Sequence, residues 1–153
     1  MAIILSSTQH ASCECGACQF EVRSGPVARF VCHCTICQDY TGRAFSDATL
    51  LRTSNVSVTG GENITFKKYR SPPNISRGIC TRCGKPAIEF GALGPVKITF
   101  IPTPNFGSAE CLPSVAMHMF YDRRREDAPD GSPKYNGYVR SELAFGKLLM
   151  GLY

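Results

Sequence analysis

The chain has 153 residues, 43% of them hydrophobic and 19% charged, with nine cysteines and a formal net charge of +5. That balance excludes a disordered chain, and the length suits one domain, spanning residues 1–153 without a visible boundary or repeat. No run approaches the roughly 20 continuous apolar residues of a membrane-spanning helix, and the mild positive charge forms no basic stripe of the kind nucleic acids need.

The N-terminal stretch has a short apolar run, Ile3 to Leu5, but no basic residue before Arg23, so it does not read as a signal peptide. A soluble, cytoplasmic protein with no membrane partner is expected. In a reducing compartment, nine cysteines argue for metal binding or catalysis rather than disulfides.

Strand signals then dominate. In "CQFEVR" (18–23) Phe20 and Val22 alternate with polar residues, the period of a half-buried strand. Similar runs follow at 27–32, 44–51, 64–69, 86–90, 96–101 and 115–121. Turn signals separate them: Gly25-Pro26, Gly60-Gly61, Pro72-Pro73, Gly94-Pro95 and "APDGSP" from Ala128 to Pro133. The pattern predicts a mainly β fold of several small antiparallel sheets. Helix is expected for about one turn after Cys34 and for a short C-terminal stretch from about Val139 to Leu152, weakened by Gly146.

Seven cysteines fall into clusters. "CEC" supplies Cys13 and Cys15, and "CTRCG" supplies Cys80 and Cys83, a turn in which backbone amides can face two thiolates and Gly84 allows the tight geometry. Together they make four thiolates, the ligand set of a structural zinc that clips distant strands together. "CHCTIC" supplies Cys32, Cys34 and Cys37 and then stops. Three protein ligands are the mark of a catalytic zinc that keeps one position for substrate. Cys18 falls on the apolar side of its strand and reads as core. Cys111 stands alone in "SAECLP" and is open to three readings: core, free thiol, or the fourth ligand that would close the second site.

The Arg123, Arg124 and Arg125 run is flanked by Asp122, Glu126 and Asp127 and reads as a solvated loop, which speaks against nucleic acid.

The motifs "CECGACQFEV", "CHCTICQDYTGRAF", "GICTRCGKP", "HMFYD" and "PDGSPKYNGY" together resemble the glutathione-dependent formaldehyde-activating enzyme family, which includes centromere protein V and has the Mss4-like fold. The resemblance runs from about Cys13 to Tyr138. The chain departs from the common pattern at Cys18, where a small aliphatic is usual, and at Phe120, where a tryptophan is frequent. The resemblance implies a structural zinc on Cys13, Cys15, Cys80 and Cys83, and a catalytic zinc on Cys32, Cys34 and Cys37 with its fourth position open. It implies glutathione as co-substrate and an aldehyde adduct of it as substrate, and it suggests Cys34 as the ligand that leaves the metal to pair with an incoming thiol.

Three thiolates cancel a zinc dication and leave a weak Lewis acid, one that polarises a carbonyl poorly but suits a soft thiol as fourth ligand. A thiol ionised there is a nucleophile for an aldehyde carbon, or the leaving group when a hemithioacetal collapses. Carbon–sulfur lyase is therefore the expected reaction class. The alternative is a zinc-stabilised binding module without catalysis, which closure of the second site by Cys111 would favour. A rubredoxin-like iron is a weaker third reading.

Among the other polar residues, His33 is expected to hydrogen-bond rather than ligate, because alternation aims it away from a metal gripped by Cys32 and Cys34. His118, between two methionines, reads as a satisfied sheet residue that can orient a ligand. Arg43 is the first candidate to meet a carboxylate of a glutathione-like substrate, and Arg77 the second.

Overall fold

A computed structural model of the protein describes residues 8–69, 74–108 and 111–152. The Ile3–Leu5 run and the Pro72-Pro73 turn lie outside the described residues. The elements in chain order are β1 (Gln9–Ser12), β2 (Gln19–Val22), β3 (Ala28–Cys32), α1 (Thr35–Thr41), β4 (Ser46–Arg52), β5 (Val56–Thr59), β6 (Ile64–Lys67), β7 (Ser76–Cys80), β8 (Pro86–Leu93), β9 (Val96–Pro102), β10 (Val115–Met119) and α2 (Tyr138–Leu149). The fold is mainly β. Among the described residues, no helix is long and apolar enough to cross a membrane.

The strands form two sheets. β1, β2 and β5 make a small antiparallel sheet in the order β1-β2-β5. The other seven form one larger sheet in the order β10-β3-β4-β9-β8-β7-β6, antiparallel except where β10 runs parallel to β3. The larger sheet is more continuous than a set of small antiparallel sheets, because β4, β9 and β8 pair in unbroken succession.

Two apolar clusters lie on opposite faces of that sheet. Leu50 and Phe100 join Phe30, Met117 and Leu149 on one side, beneath α2. Their chain neighbours Leu51 and Ile101 turn the other way to meet Ala11, Phe20 and Val22 of the small sheet. With both faces covered, β4 and β9 are buried almost throughout, which is why "ATLL" and "ITFI" read as continuous apolar runs. Fully burying one such side chain is worth about 1.5–3 kcal/mol.

Three strands carry weak signals in the sequence. β1 is short and polar, β5 is largely exposed, and β7 has Gly78 at its centre. That glycine is required: a Cβ there would stand 2.6 Å from Ile64 Cγ2 and 2.8 Å from the Ile88 carbonyl oxygen. Its own carbonyl accepts a 2.8 Å hydrogen bond from the buried Tyr40 hydroxyl, tying α1 to β7.

α1 is longer than the single turn expected, with seven residues. Its N-cap is Cys34, whose sulfur accepts from the Cys37 backbone N–H, and it ends at Gly42 with φ 67°. α2 begins at Tyr138 and is continued by a short 3-10 turn over Met150–Leu152.

Candidate active site

The chain brings seven cysteines into two groups. Cys13 and Cys15 follow β1, while Cys80 ends β7 and Cys83 lies in the turn before β8. Their sulfurs all lie within 4.8 Å of one another, so this group joins the small sheet to the large one. The Cys13–Cys15 and Cys15–Cys80 sulfur separations are 3.6 and 3.8 Å. A regular tetrahedron with metal–sulfur bonds of about 2.3 Å has edges of roughly 3.8 Å, so the sulfurs stand where zinc ligands would. Backbone amides point at them: Cys18 N–H donates to Cys13 Sγ at 3.3 Å and Arg82 N–H to Cys80 Sγ at 3.4 Å. Burial pushes the Cys80 thiol up, but hydrogen bonds from the Cys83 and Arg82 amides outweigh it and hold the group at about 6. Cys13 is likewise held down, its burial outweighed by hydrogen bonds led by the Cys18 amide. At Cys15 the Ala17 amide is outweighed by desolvation and the neighbouring thiols, which push it up to about 11, so thiolate character gathers on Cys13 and Cys80.

The second group is Cys32 at the end of β3, Cys34 at the N-cap of α1 and Cys37 in its first turn. Their sulfurs also lie within 4.8 Å of one another, with 3.4 Å between Cys32 and Cys34. Among the described residues no further Cys, His, Asp or Glu joins them. Charge is shared unequally. Hydrogen bonds from the side chains of Cys32 and Cys37, together with the Cys37 amide, hold Cys34 down to about 2, and the same contacts push Cys32 and Cys37 up. Either group could hold a metal ion, and all nine cysteines are free of disulfides.

Cys111 does not close the second group. It is exposed, and its carbonyl accepts from Gln9 Nε2 at 3.2 Å beside β1. Cys18 is fully buried beside Phe20, as core.

The three-cysteine group faces a cavity of about 480 Å³ under α2. Its apolar wall is built by Phe30, Ile75, Phe100, Met119, Phe120 and Phe145. Phe120 has φ 51° and ψ 42°, a left-handed conformation that costs a bulky residue of order 1–3 kcal/mol. Its N–H is held by Ser141 Oγ of α2 at 2.9 Å, and its ring lines the cavity.

Two ionisable side chains reach this cavity. Arg77 of β7 faces Glu89 across the β7–β8 register, with Nε 3.3 Å from Oε2 and both side chains at most 10% exposed. Burial pushes the Glu89 carboxyl up to about 7, against the pull of Arg77. Arg123 and Glu142 also line the cavity.

Arg43 lies elsewhere. It is exposed beyond the end of α1 and lines a second cavity of about 520 Å³ with Cys13, Glu14 and Lys85. Arg77, the second candidate by sequence, is the one beside the cysteines. Glu89, Phe120 and Arg123 are site residues that the sequence alone does not mark out. Glu89 did carry a signal, an acid in the otherwise apolar strand "PAIEF". Of the arginine run, Arg124 pairs with Asp127 at 2.6 Å at the surface, as a solvated loop does, whereas Arg123 turns to the cavity.

His33 is no ligand. Its Nε2 meets His118 Nδ1 at 2.9 Å, and His118 Nε2 meets Asp130 Oδ2 at 2.8 Å. Gln38 Nε2 ties the loop further by donating to the carbonyls of His33 and Arg123.

Two sheets joined by four cysteines, with three more opening onto a cavity, define a protein organised around two thiolate clusters able to bind metal. Residues 8–123 match the family described as glutathione-dependent formaldehyde-activating enzyme, and the chain belongs to that family. Among solved structures, the chain is similar to the crystal structure of a Rhodobacter sphaeroides protein, at 19% identity and a TM-score of 0.54, over 83% of this chain and 100% of that one. That likeness is one of fold. No curated protein matches the chain.

Proposed function

We propose that the protein is a zinc-dependent carbon–sulfur lyase that makes or breaks the bond between a small thiol, glutathione-like, and an aldehyde carbon. The observation that carries this reading is the three-cysteine group on a cavity with no fourth described ligand. The family name supports the substrate class. Zinc held by Cys32, Cys34 and Cys37 supplies a soft cation that favours the ionised form of a substrate sulfur. A second zinc, on Cys13, Cys15, Cys80 and Cys83, is structural.

In the forward direction the sulfur–carbon bond forms as the carbonyl π bond opens, and the thiol proton ends on the new hydroxyl. The reverse parts the same atoms, with no oxidant or reductant. Glu89, pushed up to about 7, holds or releases a proton inside the cavity. Arg77 keeps that carboxyl in place. The cavity wall of Phe30, Phe100 and Phe120 excludes water that would compete for the carbonyl. Carboxylate recognition falls to Arg123 rather than to Arg43, which opens on the other cavity. One domain whose nine cysteines form no disulfide, in a reducing cytoplasm, fits this chemistry. The binding-module reading needs a closed second site, and the position of Cys111 supports the open one.

Zinc-loaded protein mixed with glutathione and formaldehyde should change its zinc–sulfur absorption-edge spectrum and the rate at which the adduct forms or decays. Cys37→Ala should lose both signals while the chain stays folded. An unchanged spectrum with several thiols and their aldehyde adducts, alongside tight binding of a macromolecule, would replace the lyase by the binding module.

A further inference from the structure

We infer that the adduct taken by this site carries an aromatic-sized apolar group on the carbon bonded to sulfur, and that formaldehyde is not its preferred carbonyl partner. The inference rests on the lyase reading above and names its substrate class.

The geometry beside the sulfurs is the reason. Phe30, Phe100 and Phe145 stand edge to face or tilted, with ring centroids 5.1 to 6.0 Å apart. They belong to the same apolar cluster as Cys32 and Cys37, so the space next to the ligand sulfurs is walled by rings. Phe120 adds a fourth ring, held in place by its left-handed backbone and the Ser141 hydrogen bond. A one-carbon unit would leave a cavity of about 480 Å³ nearly unfilled. An aryl or branched alkyl group would meet rings in the offset and edge geometries that aromatic pairs prefer.

The tripeptide backbone of glutathione does not suit this space. The cavity's charged lining, Arg77 and Arg123 against Glu89 and Glu142, sums formally to zero, and Arg77 is already paired with Glu89. Arg123 can meet one of glutathione's two carboxylates, but the second would lose water without a cation of its own, because Arg77 is held by Glu89. The thiol's polar body therefore sits outward and the carbonyl-derived substituent inward.

Calorimetric titration of zinc-loaded protein tests this with three probes: benzyl mercaptan, whose phenyl ring sits on the carbon bonded to sulfur, 2-mercaptoethanol, and glutathione. Benzyl mercaptan should bind roughly 10- to 100-fold more tightly than 2-mercaptoethanol, the range that a filled apolar pocket gives. Phe145→Ala, which opens the wall, and Ala48→Leu, which fills the cavity from β4, should each collapse that ratio toward one. Two different substitutions guard against loss through misfolding, which near-ultraviolet circular dichroism would reveal. Equal affinities, or preference for the small polar thiol, overturn the inference and leave the lyase reading standing. Failure of every thiol to bind overturns both.

Discussion

His33 and His118 share a 2.9 Å hydrogen bond between Nε2 and Nδ1, and both rings are almost completely buried. When His118 is neutral and its Nε2–H donates to Asp130, its Nδ1 is the acceptor and His33 Nε2 the donor. The protons are thereby ordered from the surface to the loop between Cys32 and Cys34. His33 Nδ1 is left a lone pair without a partner, the less costly half of an imidazole to bury alone.

Replacing His118 by alanine should cost about 1–3 kcal/mol, because it strands the buried His33 donor. Asp130→Asn should cost less, since an amide oxygen can still accept from His118. Urea unfolding of the two variants checks the order.

Acid should destabilise the fold through His33. Burial, aided by His118 and Arg124, holds its pKa at about 4, whereas an unfolded histidine titrates near about 6.5. Between those values the unfolded chain binds a proton that the folded chain refuses, so stability falls as pH drops from about 6.5 to 4, by at most about 1.4 kcal/mol per unit. The difference between wild type and His33→Gln, measured by urea unfolding at pH 7 and pH 5, isolates this contribution from protonation of the thiolates.

The Arg77–Glu89 pair should show the asymmetry of buried ions. Glu89→Ala leaves Arg77 uncompensated and should cost about 3–5 kcal/mol. Arg77→Met combined with Glu89→Leu should recover most of that loss. A double variant that loses as much as the two single variants added together would show that the two side chains are not energetically coupled.

Metal loss should separate the two cysteine groups. Purified protein should carry up to two zinc ions, and a chelator should remove the one on Cys32, Cys34 and Cys37 first, because it has one protein ligand fewer. Cys80→Ser should unfold or insolubilise the chain, since zinc binding contributes on the order of 10 kcal/mol to folding in small zinc domains. Cys34→Ser should stay folded, as serine is a good N-cap. Identical melting of the two serine variants would contradict this division.

The cysteine groups were legible because their spacing is local: a CxxCG turn or a CHC run declares its own geometry. The β strands with apolar alternation or double burial were legible for the same reason. What escaped depends on long-range register. Arg77 and Glu89 are twelve residues apart and become partners only when β7 pairs with β8. β7 itself is hidden by Gly78, whose lack of a side chain weakens a strand signal yet is demanded by Ile64 and the Ile88 carbonyl. Arg43 is near Cys37 in sequence, but α1 carries it away to the other cavity.

Cys34 serves as both N-cap and cavity sulfur, and this makes α1 a reporter of the chemical state of one atom. Alkylation or oxidation of that sulfur removes the acceptor for the Cys37 amide and frays the first turn. Because Tyr40, further along the same helix, is fastened to Gly78 of β7, loosening at the helix start is restrained within about one turn. Amide hydrogen exchange at Cys37 and Gln38 would accordingly register what has happened at the sulfur while the sheet beneath stays silent.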